Sequence, residues 1–142
     1  MTKDRGRLLA VDYGERRVGL AISDPSGTIA SPAGVIVRRT GKRPPVAEII
    51  RRAEALEARG FVVGLPLDGN GDETPRSAEA RLIADALSKR TGLPVELIDE
   101  RYTTAAALRA VRHMGGSTKG RKGDVDALAA TVLLQHALAR VD

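Results

Sequence analysis

Short apolar runs that alternate with polar or glycine-rich stretches predict several β-strands along this chain. Five runs of four or five residues, rich in Val, Ile and Leu, have the length and composition of strands. They cover residues 8–11, 18–22, 34–37, 61–65 and 95–98. The first two runs flank Gly14-Glu15-Arg16-Arg17, a spacing that is typical of a tight hairpin.

Apolar residues three and four positions apart predict two helices between the later strands. The first follows Pro44-Pro45 and ends at Gly60. Its apolar face is formed by Val46, Ile49, Ile50, Ala53 and Leu56. The second has Thr74 as its N-cap and Pro75 as its first helical residue, and it stops at Gly92. Its apolar positions are Ala78, Leu82, Ala86 and Leu87.

Two more helices are predicted after the last strand. A short helix covers about residues 104–114, and a final helix runs from residue 124 or 125 to about residue 139. A hairpin followed by strand–helix units gives an α/β fold, with a mixed sheet and helices on both faces. Because the 142 residues contain no internal repeat and no long linker, we expect a single domain over residues 1–142.

The composition narrows the class of protein. A hydrophobic content of 42% with 29% charged residues is ordinary for a soluble globular chain. The aromatic residues are Tyr13, Phe61 and Tyr102, so the core must be aliphatic. That scarcity argues against binding of single strands by base stacking, which needs several aromatic platforms. Cysteine is absent, which excludes a disulfide framework, a thiolate nucleophile and a Cys-ligated zinc.

The charge favours a polyanionic partner such as nucleic acid. The formal net charge is +5 and the pI is about 10.1, although the same excess also serves solubility. The N-terminus is charged and leads straight into a strand, and no long apolar span follows. We therefore expect a cytoplasmic protein with no membrane segment.

Acidic residues at the ends of predicted strands and helices are the candidates for metal binding and catalysis. Asp12 closes the first strand, Asp99-Glu100 closes the last strand, and Asp126 opens the final helix. Three carboxylates that converge from distant segments repel one another unless a cation lies between them. Such an arrangement is typical of a magnesium- or manganese-dependent site that cuts phosphodiester bonds.

Each acid also has a simpler interpretation. Asp12 with Gly14 fits an ordinary hairpin turn. Strand alternation allows only one member of the pair Asp99-Glu100 to face a site, and the other can form a salt bridge with Arg101. At the final helix we assign the N-cap to Asp124, which leaves Asp126 for another role.

The segment 115–123 is a glycine-rich, basic loop. Its cations Lys119, Arg121 and Lys122 fit phosphate contacts and an exposed, solubilising loop equally well.

Four motifs together resemble the YqgF family, also called RuvX, whose members are named as Holliday junction resolvases or as nucleases of pre-ribosomal RNA. The first motif is Val11-Asp12-Tyr13-Gly14-x-x-Arg17-Val18-Gly19-x-Ala21-x-Ser23-Asp24. The others are Val63-Gly64-Leu65-Pro66-Leu67, Asp99-Glu100-Arg101-x-Thr103-Thr104 and Val125-Asp126-x-x-Ala129-Ala130. The resemblance covers nearly the whole chain.

The resemblance implies a ribonuclease H-like fold with a mixed five-stranded sheet. It implies Asp12, Glu100 and Asp126 as catalytic residues and as ligands of Mg²⁺ or Mn²⁺. In the RuvC resolvases the second acid ends the fourth strand. In this chain that strand ends Gly64-Leu65-Pro66 and carries no acid, and the resemblance gives this role to Glu100 on the next strand. Arg101 and the cations Lys119, Arg121 and Lys122 would hold flanking phosphates.

The implied reaction is hydrolysis of a nucleic acid, with two substrates to choose between. One is the 5′ end of pre-16S ribosomal RNA or another structured or single-stranded nucleic acid. The other is a Holliday junction, whose two symmetric incisions require a homodimer. Two other classes share some of these features. Actin-like and sugar kinases have the sheet and the Asp-x-Gly turn but need two domains, and a non-catalytic nucleic-acid-binding module needs no acids.

Overall fold

The computed structural model describes residues 6–14, 16–38, 43–102 and 122–140. Five strands form one sheet in the order β3-β2-β1-β4-β5. They are β1 (Arg7–Tyr13), β2 (Arg17–Ser23), β3 (Ala30–Val37), β4 (Ala58–Leu65) and β5 (Val95–Asp99). β2 is antiparallel to both β1 and β3, whereas β4 is parallel to both β1 and β5. The predicted hairpin start and the mixed five-stranded sheet are both confirmed.

Helices cover both faces of the sheet, as predicted. Those in the described ranges are α1 (Val46–Ala55), α2 (Pro75–Thr91) and α3 (Lys122–Ala139), and a 3₁₀ turn, Glu100–Tyr102, follows β5. α1 and α2 share a core cluster on one face, and α3 packs on the other. None of the helices in this part of the chain has the length and apolar character needed to cross a bilayer.

Strand alternation divides the core between the two faces. In β1, Leu9, Val11 and Tyr13 face α1 and α2, whereas Ala10 joins the cluster under α3. Asp12 has the parity of Ala10, so its side chain is directed to the α3 face. The helix packs there through small residues and leucines: Ala129, Ala130, Leu133, Leu134 and Ala137.

Several element boundaries differ from the predictions. β1 continues through Asp12 to Tyr13, so Asp12 lies inside the strand and pairs with Gly19 of β2. α1 ends at Ala55 instead of continuing to Gly60. The chain reverses at Glu57, whose φ of 57° lies in the left-handed region, and β4 has already begun when Gly60 is reached. A non-glycine residue in this conformation carries no sequence signal.

The ends of α2 were predicted correctly, but only Leu87 and, in part, Ala86 of its predicted apolar positions are buried. The Thr74 hydroxyl accepts a hydrogen bond from the Ser77 N–H (3.0 Å), and Gly92 ends the helix with φ of 73°. The buried positions are Ser77, Ala80, Ile83, Ala84 and Leu87. Ala78 is exposed, and Leu82 is 69% exposed. The apolar residues of this helix are not confined to one narrow face, so packing against the sheet decides which of them are buried.

α3 begins at Lys122, two residues before Asp124. The assignment of Asp124 as its N-cap is therefore wrong, since Asp124 lies inside the first turn. The short helix predicted over residues 104–114 lies outside the described residues.

Candidate active site

Two acidic side chains are buried on the α3 face of the sheet. Asp12 is 3% exposed and Glu100 is 2% exposed, which is rare for carboxylates. Asp12 belongs to a central strand, and Glu100 follows the edge strand β5 at the start of the 3₁₀ turn. Since 88 residues separate them in sequence, the sheet topology brings them together.

The register of the strands places these two residues beside Gly64. Val11 pairs with Val63, so Asp12 and Gly64 lie one position further along neighbouring strands, roughly 5 Å apart. On its other side Gly64 pairs with Ile98, two residues before Glu100. A Cβ atom at position 64 would lie 2.8 Å from Glu100 Cδ and 2.9 Å from Glu100 Oε1. The Glu100 carboxyl group therefore lies over Gly64, next to Asp12.

Asp99 and Glu100 point in different directions, as strand alternation predicted. Asp99 forms a salt bridge with Arg101, with 2.7 Å between Oδ2 and Nη2. Its Oδ1 also accepts the backbone N–H of Arg101 at 3.0 Å. The hydrogen bonds from Arg101 hold the pKa of Asp99 below its ordinary value. The salt bridge and the backbone hydrogen bond together close the turn that contains the buried Glu100.

Arg101 also packs against the loop that follows β4. A Cβ atom at Gly71 would lie 3.1 Å from Arg101 Nη1, and the φ of Gly71 is 86°. Asp68 organises this loop, because its Oδ1 accepts the N–H groups of Asn70 and Asp72, each at 2.9 Å. The guanidinium group is therefore held between Asp99 and the loop. The predicted contact of Arg101 with phosphate stays a prediction.

The donor set fits a hard divalent cation. Asp12 Oδ1 and Glu100 Oε2 are buried and accept no hydrogen bond from the residues that the structure describes, although both side chains have other polar interactions. Carboxylate oxygens are the ligands that Mg²⁺ and Mn²⁺ prefer. The described side chains contain no group of three His, Cys, Asp or Glu residues able to hold a metal. Two of the three predicted acids are thus brought together.

For the remaining predicted site residues, either the side chain is not described or the whole residue lies outside the described ranges. Asp126 is in the first turns of α3, and its side chain is not described. The same holds for Lys122, the first residue of that helix. Lys119 and Arg121 lie outside the described residues.

Sequence reasoning missed a charged cluster on the other face of the sheet from Asp12. The Arg38 guanidinium lies over the Tyr13 ring, 4.3 Å from its centroid, and donates to the Gly14 carbonyl at 3.0 Å. It also pairs with Glu79 at 3.3 Å. Burial raises the pKa of the Tyr13 hydroxyl; Arg38 opposes the shift, and Glu79 adds to it. These residues come from three distant parts of the chain, so no local pattern links them.

Comparison with solved structures identifies the fold. The fold matches that of RuvC from Thermus thermophilus in complex with a Holliday junction substrate, with a TM-score of 0.58 and 16% sequence identity. The match covers 94% of this chain and 93% of that chain. A second structure of RuvC from the same organism gives a TM-score of 0.55. The architecture is therefore that of the RuvC-like, ribonuclease H-like proteins.

Sequence comparison then identifies the family. Residues 6–140 match the family described as RuvX: Holliday junction resolvase. A relative from Kineococcus radiotolerans is 45% identical over 134 residues, covering 94% of this chain and 71% of the relative. One from Clavibacter michiganensis is 40% identical over 133 residues, covering 94% and 83%. Both carry the name "Putative pre-16S rRNA nuclease". The chain belongs to the RuvX family.

Proposed function

We propose that this protein is a metal-dependent nuclease that hydrolyses phosphodiester bonds, with Asp12, Glu100 and Asp126 as catalytic residues and metal ligands. The observation that carries the proposal is the pair of buried carboxylates, Asp12 on β1 and Glu100 just after β5, which lie on either side of Gly64 on the intervening strand β4. Two buried negative charges side by side are unfavourable unless a cation or a proton accompanies them. Mg²⁺ or Mn²⁺ would meet that need with ligands of the preferred type.

The third acid is supported by the helical register of α3. Position 126 precedes Ala130 by four residues and Leu133 by seven, and both of these are buried against the sheet. Residues at these intervals share one face of a helix. This register supports Asp126 as the third acid, because residues four and seven positions further along α3 pack on the sheet face where Asp12 and Glu100 are buried.

The protein's own contribution is to hold fixed negative charges in a rigid setting. Asp12 is fixed by the central strand β1, and Glu100 is fixed by the turn that Asp99 and Arg101 close. A bound divalent cation supplies charge neutralisation at the phosphate and activation of water for hydrolysis. Arg101, Lys119, Arg121 and Lys122 are proposed to hold phosphates on either side of the scissile bond.

The substrate proposal follows the closer relatives. Proteins 36–45% identical to this chain are named for pre-16S rRNA, so we propose the 5′ end of that precursor as the substrate. The net charge of +5 suits an RNA partner. We further propose that one domain over residues 1–142 carries the whole site and acts in the cytoplasm.

A Holliday junction is the second candidate substrate. The family description names a junction resolvase, and the structural match to RuvC covers nearly the whole of both chains. Resolution requires a homodimer with two active sites at a fixed separation. Processing of an RNA end requires only one site.

Cleavage and metal binding should be tested on the same variants. Labelled RNA with a 5′ extension of 16S rRNA, single-stranded DNA and a four-way junction are incubated with Mg²⁺, Mn²⁺ or EDTA. Wild type should cut RNA with either metal and lose activity in EDTA. Asp12→Asn should lose cleavage while keeping its fold and its affinity for RNA. Asp85→Asn is the matched control, because Asp85 is an exposed acid on α2 that pairs with Lys89.

Metal binding supplies a readout that does not depend on the substrate. Calorimetric titration with Mn²⁺ should show binding to wild type and to Asp85→Asn but strongly weakened binding to Asp12→Asn. In metal-free buffer, Asp12→Asn should have a Tm equal to or above that of wild type, because a repelling carboxylate has been removed. Undiminished cleavage in EDTA, or by Asp12→Asn, would refute the metal-nuclease proposal. Cutting of junctions with RNA left intact would select the second candidate.

A further inference from the structure

An open groove of about 780 Å³ lies beside the N-terminal half of α2, on the sheet face away from the buried carboxylates. We call it the α2 groove. The residues that matter here are the charged Arg38, Arg76 and Glu79 and the apolar Pro66, Pro75 and Leu82.

The α2 groove and the candidate active site lie on opposite faces of the sheet, at the C-terminal ends of the same two strands, β1 and β4. Tyr13 directly follows Asp12 in β1, and its ring lies under the Arg38 guanidinium that lines the groove. Pro66, also in the groove, directly follows the end of β4 and is two residues from Gly64. A nucleic-acid strand that passes over the C-terminal ends of β1 and β4 would therefore meet both the α2 groove and the candidate active site.

The charges of the α2 groove favour an anion. Among the described residues that line it are two arginines, Arg38 and Arg76, and one carboxylate, Glu79, which pairs with Arg38. Arg76 lies in the first turn of α2, where the helix dipole disfavours a cation, and that turn contains no acidic residue. Thr74 and Ser77 already cap this end of the helix. The attraction for an anion thus comes from the guanidinium groups themselves.

The groove also has an apolar wall that folding leaves uncovered. Leu82 is 69% exposed, and Ala78 one turn before it is exposed as well. Pro66 and Pro75 extend this surface. A wall of this kind beside guanidinium groups matches a nucleotide, because the flat face of a base can lie on an apolar surface while the attached phosphate is charged.

We propose that the α2 groove binds one or two nucleotides of the RNA strand whose scissile phosphate lies at Asp12 and Glu100. Arg76, with Arg38 behind it, holds a phosphate, and the ring and sugar lie along Leu82. The inference rests on the proposed function and extends it, because it makes the substrate a strand that wraps over the edge of the sheet. A phosphate contact at Arg76 also gives the enzyme a preference for strands that extend beyond the cut.

Binding to RNA in EDTA tests the groove without any cleavage. The affinity of full-length protein for fluorescein-labelled single-stranded RNA is measured by anisotropy across a range of salt concentrations. Arg76→Ala should lower the slope of log K against log[salt] by roughly 0.7, which corresponds to about fivefold weaker binding at 0.1 M salt. Arg90→Ala is the matched control, because Arg90 is an exposed arginine in the last turn of the same helix. Its slope should be that of wild type.

Two more variants separate a nucleotide site from general charge. Arg76→Lys keeps the charge and should restore most of the slope. Leu82→Asp should weaken binding more than Leu128→Asp, which places the same charge on another exposed leucine, on α3. Circular dichroism and Tm confirm that each variant is folded. Equal slopes for Arg76→Ala and Arg90→Ala would overturn the proposal. So would a wild-type dimer that Leu82→Asp dissociates, since the groove would then hold a second copy.

Strand length distinguishes failure of this inference from failure of the proposed function. The effect of Arg76→Ala on RNA affinity should disappear when the oligonucleotide is shortened at one end, and shortening at the other end should leave it unchanged. A protein that binds RNA in this way but never cleaves refutes the nuclease and keeps the groove. A protein that cleaves RNA with no specific effect of Arg76→Ala keeps the nuclease and refutes the groove.

Discussion

Glu100 occupies the space that a side chain at position 64 would need. Its Cδ lies 2.8 Å and its Cγ 3.1 Å from the point where a Cβ on Gly64 would be. The end of β4 therefore carries no acid of its own and instead makes room for an acid that arrives from beyond β5. Glycine at position 64 and glutamate at position 100 form one structural unit, and that unit can be tested.

Gly64→Ala should displace the Glu100 carboxyl group and strongly reduce cleavage. Overpacking of this kind costs about 1–3 kcal/mol of stability, which chemical denaturation measures. Gly69→Ala is the control, because a Cβ there would meet nothing within 4 Å. In the double variant Gly64→Ala/Glu100→Ala we expect stability to recover while activity stays lost. Full activity in Gly64→Ala would show that the position of Glu100 is unimportant.

Glu100→Gln should cost far more activity than Asp99→Asn. Glu100 is buried over Gly64, whereas Asp99 is turned to Arg101 and keeps part of its surface in solvent. Single-turnover cleavage rates at saturating Mg²⁺ compare the two variants, and Mn²⁺ titration should show weakened binding only for Glu100→Gln. Equal losses in both assays would contradict the separation of these two side chains.

The stabilising interaction between Asp99 and Arg101 should be lost at low pH. The hydrogen bonds from Arg101 lower the pKa of Asp99, so the stability that this carboxylate contributes is present above its unfolded pKa of about 3.9. It is lost as the pH falls through the lower folded pKa. The difference in unfolding free energy between wild type and Asp99→Asn should therefore be constant from pH 7 to 5, begin to fall near pH 4, and vanish only when the pH is below the folded pKa. A difference that persists at lower pH would show that the charge of Asp99 is not its source.

The basic residues of segment 115–123, of which Lys122 begins α3, should contribute to the affinity for nucleic acid. If Lys119, Arg121 and Lys122 each neutralise one phosphate, replacing all three by Ala should lower the slope of log K against log[salt] by roughly 2–3. The measurement is the same anisotropy titration in EDTA. Replacement of Lys89, Arg90 and Arg140, which are exposed, is the control of equal charge. An unchanged slope would leave this segment without a role in binding.

Asp124 and Asp126 should behave differently although both lie inside α3. Successive helical residues are rotated by about 100°, so positions two apart lie on different sides of the helix. Asp124→Ala should cost no more than about 1 kcal/mol, from the helix dipole, and keep most cleavage. Asp126→Asn should keep the stability of wild type and lose cleavage and Mn²⁺ binding. If the two variants exchanged these properties, Asp124 would be the ligand.

Local patterns in the sequence were sufficient for the features that depend on neighbouring residues. The alternation of β5 and the tripeptide Asp99-Glu100-Arg101 predicted one buried acid and one salt-bridged acid, because neighbouring side chains in a strand face opposite sides. The capping of α2 by Thr74 was readable for the same reason, since a cap involves residues within a single turn. The family motifs supplied the sheet and the choice of Glu100.

The tertiary structure decided what depends on contacts between distant segments. The sequence does not show that Gly64 accommodates Glu100, because the register that joins β4 to β5 is set by the packing of the whole sheet. Nor does the sequence show that Leu82 stays exposed, because contact with neighbouring elements decides which apolar residues of α2 are buried. Local geometry is set by short-range backbone sterics and hydrogen bonds, which each segment carries in its own residues. Burial and convergence are properties of the assembled layers, which no single segment contains.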